Sequence, residues 1–319
     1  MLPATLPSPA TSLESAMSKA KTYVLHSRAE NTRRAYAADW RHFTFWCGCH
    51  QVESLPALPE TVAVYIAELA DSHKPATITR RLAAISKAHS AKGYASPASL
   101  KHAAVAEVLA GIRRDCGTAQ NAKNPILTAD LKRLLAGTGD NLKGIRDCAL
   151  LLLGFAGGFR RSELAALQVS DVAFTEDGAV VTLRRTKTDQ EGQGRKVGIP
   201  YGSHPTLCPV RSLRRWIEAA ALSDGPLFRS VDKHGKLGAS ITPQTVRLVI
   251  VGLADTAGLE ASRFSAHSLR SGLATQATIN GASERAIMKQ TGHKSVAMVR
   301  RYVRDANLFR ENAAANLGL

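Results

Sequence analysis

The sequence predicts a mainly α-helical protein of two domains, of which the second also contains a small antiparallel sheet. The chain has 319 residues, and a single hydrophobic core rarely serves that length. Apolar residues recur at helical spacing through most of the chain. Residues 116–126, CGTAQNAKNPI, lack such a period and contain Gly, Asn and Pro, which is typical of a linker. We therefore expect a disordered tail at 1–14, a helical domain at 15–115 and a second domain at 127–319.

The first domain is predicted to consist of helices alone. Residues 31–32, Asn-Thr, can cap a helix through RRAYAADWRHFTFWC, whose aromatic residues fall on one apolar face. Pro59 and Pro75 each open a further helical pattern, and proline is favoured at the first position of a helix. A last helix is expected at about 98–112. The aromatic face indicates a packed core rather than a surface on which bases stack.

The second domain is predicted to combine helices with two strands. The apolar run from Ala149 to Phe159 contains three glycines and is too short for a membrane span, so it predicts a buried helix. Strand-like runs at 179–185 and 195–200 flank TKTDQEGQG, which is longer than a tight turn and predicts a hairpin. Further helices are expected at 128–136, 143–156, 206–221, 243–257, 267–279, 283–291 and 295–303.

The charge of the chain favours a polyanionic partner. Lys and Arg together number 42 and Asp and Glu 26, which gives a net charge of +16. Residues 1–120 contain 14 basic and 9 acidic residues, and the rest contain 28 and 17, so both domains are basic. Nucleic acid is favoured over a membrane, because the sequence shows no lipid-anchor motif and no basic amphipathic helix typical of membrane surfaces. The N-terminus also lacks the pattern of a secretory signal. General basicity that serves solubility is the alternative explanation.

Several classes of function lose support from the motifs that the sequence lacks. The five cysteines follow no zinc-binding spacing, which indicates reduced thiols in a cytosolic protein. The phosphate-binding loop G-x-x-x-x-G-K-[ST] does not occur, so no ATP site is predicted. No cluster of carboxylates stands out that would hold Mg²⁺, which disfavours metal catalysis. We therefore expect neither a cofactor nor a metal.

Candidate anion-binding residues lie in the second domain. Arg160 follows a Gly-Gly turn at the start of a helical pattern, where backbone amides can join its guanidinium in binding an anion. His267 and Arg270 are spaced i, i+3, which places both on one face of a helix. An imidazole beside a guanidinium suits phosphate binding coupled to proton transfer. Taken alone, Arg160 is more often an ordinary surface arginine, and the H-x-x-R pattern is weak because it often occurs by chance.

Three further polar residues of the second domain are compatible with either a functional role or an ordinary surface position. His293 lies between two short helical patterns, and Tyr302 follows nine residues later in a basic helix. Lys187 lies in the predicted hairpin connection. A lone tyrosine among arginines is ordinarily an amphipathic surface residue, and a loop lysine is ordinarily solvated.

Together these segments resemble the tyrosine recombinase (phage integrase) family, particularly its Cre-like and Xer-like members. In the first domain, NTRRAYAADWRHFTFWC and ATITRRLAAISKAH resemble the family's helical core-binding domain, a SAM-like bundle. In the second, GGFRRSEL, RTKT, HSLR, GHKS and RRYVR occur in the family's order and approximate spacing. Each motif is weak alone, but five in register are a strong signal. The resemblance implies catalytic roles for Arg160, Lys187, His267, Arg270, His293 and Tyr302, with Glu163 supporting them.

The resemblance also implies an activity. It implies a site-specific recombinase of the prokaryotic cytoplasm, acting on double-stranded DNA with an inverted-repeat site through a covalent 3′-phosphotyrosyl intermediate. It implies a tetramer on two sites, with the C-terminal segment around Leu308, Phe309 and Leu317 docking on a neighbouring subunit. Packing of that segment within its own chain is the alternative. A type IB topoisomerase, a non-catalytic DNA-binding regulator and a metal-dependent nuclease are the competing functions.

The chemistry of DNA cleavage fits the implied residues. A tyrosine hydroxyl has a pKa near 10, so its attack on phosphorus requires a base, for which His267 is the candidate. Arg160 and Arg270 can neutralise the non-bridging oxygens, and His293 can add a hydrogen bond to the same group. Lys187 can protonate the leaving 5′-oxygen as general acid. A phosphotyrosyl ester keeps the energy of the cleaved bond, so rejoining needs no ATP.

Residues that contact DNA outside the active site are harder to identify from the sequence. Arginines on predicted helices of both domains are candidates for phosphate or base contacts. For each of them, a solvated surface charge explains the sequence equally well. The candidates are Arg33, Arg34, Arg80, Arg81 and Arg247.

Overall fold

Both units of the chain are built mainly from helices. The structure, a computed structural model, describes residues 9–26, 29–119, 123–184, 194–307 and 317. The chain divides into two compact units, Met1–Asn121 and Ala122–Leu319. The strands lie in the second unit, so the predicted mainly helical fold with a small antiparallel sheet is confirmed.

Helices are the only regular secondary structure in the described residues of the first unit. Helix α1 begins at Pro9, inside the segment expected to be a tail, and α5 begins at Ala103, later than expected. Two prolines open α3 and α4 at the expected places. The helices of this unit are α1 (Pro9–His26), α2 (Glu30–Cys49), α3 (Pro59–Leu69), α4 (Pro75–Ala91) and α5 (Ala103–Asp115).

The aromatic face of α2 forms the core of the first unit, as predicted. Phe43 and Trp46 of α2 are buried, and both rings pack against Tyr65 of α3. Helix α2 packs on α4, and α3 packs on α5. The spacing of three and four residues places these side chains on one stripe, which the neighbouring helices cover.

The second unit combines eight helices in its described residues with two antiparallel sheets. Strands β1, β2 and β3 form one sheet in that order, and β4 pairs with β5 as a hairpin. The helices are α6 (Thr128–Ala136), α7 (Leu142–Gly157), α8 (Arg161–Ala166), α9 (Pro209–Ala219), α10 (Pro243–Thr256), α11 (His267–Ile279), α12 (Glu284–Thr291) and α13 (Val296–Asn307). The strands are β1 (Val172–Phe174), β2 (Gly178–Leu183), β3 (Arg195–Pro200), β4 (Arg229–Val231) and β5 (Leu237–Ser240).

Helix α7 is the central element of the second unit. The side chain of Asn141 caps it by accepting a hydrogen bond from the Gly144 amide at 2.9 Å. Its apolar side chains are buried against α9 and α11, as the sequence predicts for this run. It ends at Gly158, whose φ of 57° belongs to the left-handed region. Within the described residues, no helix is long and apolar enough to cross a bilayer.

The sequence did not predict strands β1, β4 and β5. Strand β1 has three residues and pairs with β2 in the register Val172↔Val181. Strands β4 and β5 form a short hairpin with a register shift. Segments this short do not display a period of two in the sequence, and their pairing depends on tertiary contacts.

Candidate active site

A turn after α7 and the helix α11 bring two arginines together. Arg270 Nη1 donates a hydrogen bond to the Gly158 carbonyl at 2.7 Å, two residues before Arg160. A Cβ on Gly158 would lie 2.6 Å from Leu273 Cδ2 of α11. The glycine therefore serves two purposes, because it takes the left-handed conformation that ends α7 and allows α11 to approach closely.

Glu163 holds Arg160 at the start of α8. One carboxylate oxygen accepts the Arg160 backbone N–H at 2.8 Å, and the other accepts Nη1 at 2.6 Å. Glu163 itself is buried, so this charge-assisted pair lies in a low-dielectric setting. The carboxylate caps the helix and fixes the direction in which the guanidinium points.

Arg270 is a buried cation, and only part of its guanidinium group is hydrogen-bonded within the described residues. Its side chain is 1% exposed, and Nη2 has no hydrogen-bond partner among the described residues. Burial, followed by the charge of Arg160, lowers the pKa of Arg270 to about 10. A buried donor without a partner is costly and calls for a functional explanation. A phosphoryl oxygen is the acceptor that best suits a guanidinium fork.

Tyr302 lies against the imidazole of His267. The distance between His267 Nε2 and the Tyr302 hydroxyl oxygen is 3.0 Å. Helix α13 packs on α11, and half-buried Tyr302 joins a small apolar cluster that includes Ala274 and Val299. The ring is therefore fixed by packing, while exposed His267 is within reach of the phenolic proton.

His293 follows the end of α12 and faces the same cluster of charges. Gly292, with φ of 68°, ends the helix, and the His293 ring lies 6.0 Å from the Tyr302 ring. His293 is 7% exposed, and its Nδ1 lies 2.7 Å from Thr291 Oγ1. Burial, followed by the charges of Arg270 and Arg160, lowers the pKa of His293 to about 4. The imidazole is therefore neutral at pH 7.

Arg195 of β3 binds the C-terminal end of α12. The sequence analysis did not identify Arg195 as part of the site. Its guanidinium donates hydrogen bonds to the carbonyls of Lys289, Gln290 and Thr291 at 3.3, 2.9 and 3.3 Å. A Cβ on Gly292 would come within 2.9 Å of Arg195 Nε, so glycine allows this approach. The only local signal was a basic residue opening a strand, and a solvated arginine gives the same signal.

The sequence profile of the phage integrase family matches residues 126–308, which is more than half of the chain. The chain belongs to the phage integrase family. This is a family of enzymes, the tyrosine recombinases, that cleave and rejoin DNA. An integrase/recombinase XerD homologue of Selenomonas ruminantium is 42% identical over 301 residues, covering 92% of this chain and 87% of the relative. The Cre recombinase of Escherichia phage P1 is 28% identical over 307 residues, covering 90% of this chain and 87% of Cre.

Solved structures of the phage integrase family share the fold. A lambda integrase (75–356) dimer bound to a COC′ core site matches with a TM-score of 0.59 and 18% identity, covering 92% of this chain and 95% of that one. XerH bound to a palindromic difH substrate, in a post-cleavage complex, also matches with a TM-score of 0.59, at 17% identity. That match covers 79% of this chain and 71% of XerH.

Most of the catalytic residues implied by the integrase motifs lie at one site. Where the structure describes these residues, contacts and electrostatic interactions connect them. Lys187 lies outside the described residues. So do residues 308–316 of the expected docking segment, while Leu317 is exposed. The residues brought together are Arg160, Glu163, His267, Arg270, His293 and Tyr302.

One candidate DNA contact in the first unit, Arg81, has a buried side chain. Arg81 is 8% exposed, and its guanidinium donates to the Tyr65 hydroxyl at 2.8 Å. A buried side chain with that partner contributes to packing within the first unit, which argues against a contact between Arg81 and DNA. A helical pattern alone did not reveal which face of α4 packs inward.

The other candidate DNA contacts are exposed to different degrees. Arg80 is partly exposed and forms two hydrogen bonds with the buried carboxylate of Asp39, at 2.8 and 2.9 Å. Arg34 pairs with Glu30 on the surface of α2. Arg33 on α2 and Arg247 on α10 are exposed. DNA contact by these four arginines stays a prediction.

Because His293 is neutral in the folded protein, we predict that the free energy of unfolding falls in acid. Its pKa falls from an ordinary 6.5 to about 4 on folding, so the unfolded chain binds the extra proton between those pH values. Stability is therefore lost as the pH falls from 6.5 towards 4, by at most about 3 kcal/mol from this residue. Urea unfolding across that range should show a flatter pH dependence for His293→Gln. Exposed His204→Gln is the control, and an unchanged slope in His293→Gln would refute the assignment.

Proposed function

We propose that this protein is a site-specific DNA recombinase that cleaves and rejoins DNA through a 3′-phosphotyrosyl intermediate on Tyr302. The observation that carries the proposal is the 3.0 Å contact between His267 Nε2 and the Tyr302 hydroxyl. It occurs in the electrostatic field of Arg270, whose buried Nη2 lacks a partner among the described residues. Membership of the phage integrase family supports the same chemistry.

The proposed reaction exchanges one phosphoester bond for another. The Tyr302 oxygen attacks phosphorus while His267 Nε2 accepts the phenolic proton. Arg160 and Arg270 bind the non-bridging oxygens, on which negative charge increases in the transition state. The bond from phosphorus to the 5′-oxygen breaks, and Lys187 supplies the proton to the leaving oxygen. A 5′-hydroxyl of the partner strand then attacks the phosphotyrosine, releases Tyr302 and rejoins the DNA without ATP.

We propose that the active form is a tetramer on two inverted-repeat sites in the cytoplasm of a prokaryotic cell. Exchange of strands between two duplexes requires a protomer at each of four cleavage positions. The match to a lambda integrase dimer on a core site is consistent with assembly on DNA, although it concerns that protein. We further propose that the segment after α13 docks on a neighbouring subunit, since it carries the apolar residues Leu308, Phe309 and Leu317.

A nicked suicide duplex tests the proposed function. A library of such duplexes with randomised arms is incubated with the protein in the presence of EDTA, and covalent protein–DNA adducts are recovered under denaturing conditions and sequenced. We expect adducts at one inverted-repeat sequence, because the nick lets the 5′-fragment diffuse away and prevents rejoining. Adducts at every sequence would identify a topoisomerase. In a parallel reaction with Mg²⁺ in place of EDTA, cleavage that occurs only there and leaves no adduct would identify a metal-dependent nuclease. No adduct on any duplex would overturn the proposal.

Binding of the recovered site is expected to weaken steeply with salt. Each neutralised phosphate contributes a slope of roughly −0.9 to the plot of log affinity against log salt concentration. Exposed Arg247 is a candidate phosphate contact, so Arg247→Ala should reduce the slope by about one. Arg215→Ala is the matched control, because its guanidinium is paired with Asp140 at 3.4 Å. A slope near zero in the parent protein would argue against an extended phosphate interface.

A further inference from the structure

Thr291 forms two short polar contacts from one hydroxyl group. Its Oγ1 lies 2.6 Å from the Ile287 carbonyl oxygen, one turn back along α12, and 2.7 Å from His293 Nδ1. Thr291 is fully buried and His293 nearly so. Both contacts are short enough to require a proton between the atoms that they join.

The number of protons available determines which atom donates in each contact. A threonine hydroxyl has one hydrogen, and the Ile287 carbonyl has none to give. The hydroxyl hydrogen must therefore point at Ile287, because two oxygens 2.6 Å apart repel each other without it. The Thr291 oxygen is then left as an acceptor, so the proton in the second contact belongs to His293 Nδ1.

From this geometry we propose that Thr291 is a positioning residue that holds neutral His293 in the Nδ1–H tautomer. His293 Nε2 is then a bare acceptor and cannot donate a hydrogen bond to a phosphoryl oxygen. His293 becomes a donor only as an imidazolium, by taking up one proton from water when the phosphate binds. The second part of this inference rests on the proposed function, while the tautomer is a property of the protein without DNA.

The surroundings of His293 explain why proton uptake accompanies the substrate. Four cationic or titratable side chains act on the ring: Arg270 and His267 of α11, Arg160 before α8, and Arg195 of β3. The Tyr302 ring of α13 lies beside it. Burial and these groups hold the pKa of His293 near 4. A phosphodiester bound among the guanidinium groups brings a negative charge, which raises the pKa of His293 and makes protonation favourable.

Nitrogen NMR of the free protein tests the tautomer directly. Histidine labelled with ¹⁵N is incorporated, and the His293 signals are assigned by their loss in His293→Gln. We expect a protonated Nδ1 and an unprotonated Nε2 at pH 7, with the same pattern in Thr291→Ser, which keeps the hydroxyl. A protonated Nε2 in the parent protein would overturn the proposal. This result does not depend on DNA cleavage, so its failure is distinct from failure of the proposed function.

The pH profile of single-turnover cleavage tests the consequence. In the parent protein and Thr291→Ser, the contribution of His293 should make the rate fall about tenfold per pH unit above its pKa in the complex. Thr291→Val removes the acceptor, so the neutral ring can carry its proton on Nε2 and donate without uptake. We expect this falling limb to disappear in Thr291→Val.

A second threonine, which is partly buried, provides the control for loss of a hydroxyl that donates one turn back along a helix. Thr278 of α11 donates to the Ala274 carbonyl at 2.9 Å, which resembles the Thr291 bond to Ile287 without a histidine. Thr278→Val should keep the parent pH profile. If Thr291→Val lowers the Tm but keeps the parent profile, Thr291 is merely structural and the proposal is wrong. If Thr291→Val does not fold, the NMR experiment on the parent protein and Thr291→Ser decides.

Discussion

Tyr302→Phe is expected to abolish the covalent protein–DNA adduct while leaving DNA binding intact. The substitution removes only the hydroxyl that lies 3.0 Å from His267 Nε2. The ring stays, and with it the packing against Val299 and Ala274 that seats α13. Loss of the nucleophile in covalent catalysis typically costs roughly 10⁴-fold or more, because no other group can form the intermediate.

The measurement is adduct yield on the suicide duplex, with site affinity measured in parallel. Tyr201→Phe is the matched control, because Tyr201 lies in the same unit, where Arg211 stacks on its ring at 5.3 Å. The control should form adduct at the parent rate. An adduct that persists in Tyr302→Phe would place the nucleophile elsewhere in the chain.

Arg270→Met is expected to lower the cleavage rate by roughly 10²–10³-fold or more, the usual cost of one lost donor to a transition-state oxygen. The variant should also be as stable as the parent protein or more stable. Arg270 is fully buried, its Nη2 has no partner among the described residues, and its pKa is lowered to about 10. A cation whose folded pKa is lowered costs stability at all pH values below that pKa. Replacement of a buried charge by an apolar side chain of similar length is often stabilising.

Opposite changes in activity and Tm distinguish this prediction from simple damage to the fold. Arg133→Met is the matched control, because exposed Arg133 also donates to a backbone carbonyl, that of Ala257, at 2.9 Å. The control should change neither quantity appreciably. Arg270→Lys keeps the charge but loses the fork, so it should recover little activity. A large fall in Tm for Arg270→Met would show that Arg270 mainly supports the fold.

Local signals in the sequence predicted most of the helices. Helices α6 and α11 have the bounds expected from their patterns, 128–136 and 267–279. The aromatic stripe of α2 is buried as expected. These features can be predicted from the sequence because helix capping, prolines and an apolar period of 3.6 residues act within a few residues of the chain. The motifs around Arg160 and Tyr302 were legible for a different reason, their resemblance to a known family.

Contacts between distant segments could not be predicted. Arg270 and Gly158 are 112 residues apart in the chain, and Arg195 and Thr291 are 96 apart. Whether an arginine is buried, as Arg81 is, depends on which helix covers it, and the sequence pattern does not specify the partner. The short strands β1, β4 and β5 likewise exist through pairing rather than through local preference.

The sequence by itself determined that the chain is mainly helical and basic, and which residue types are available for attack on a phosphodiester. Only the tertiary structure decided that Tyr302 lies against His267 and that Arg270 keeps a buried donor without a partner among the described residues. It alone also showed that Thr291 contacts the Nδ1 atom of His293. The physical reason is that hydrogen-bond direction and desolvation depend on atoms brought together from α7, α11, α12 and α13, which no local pattern encodes.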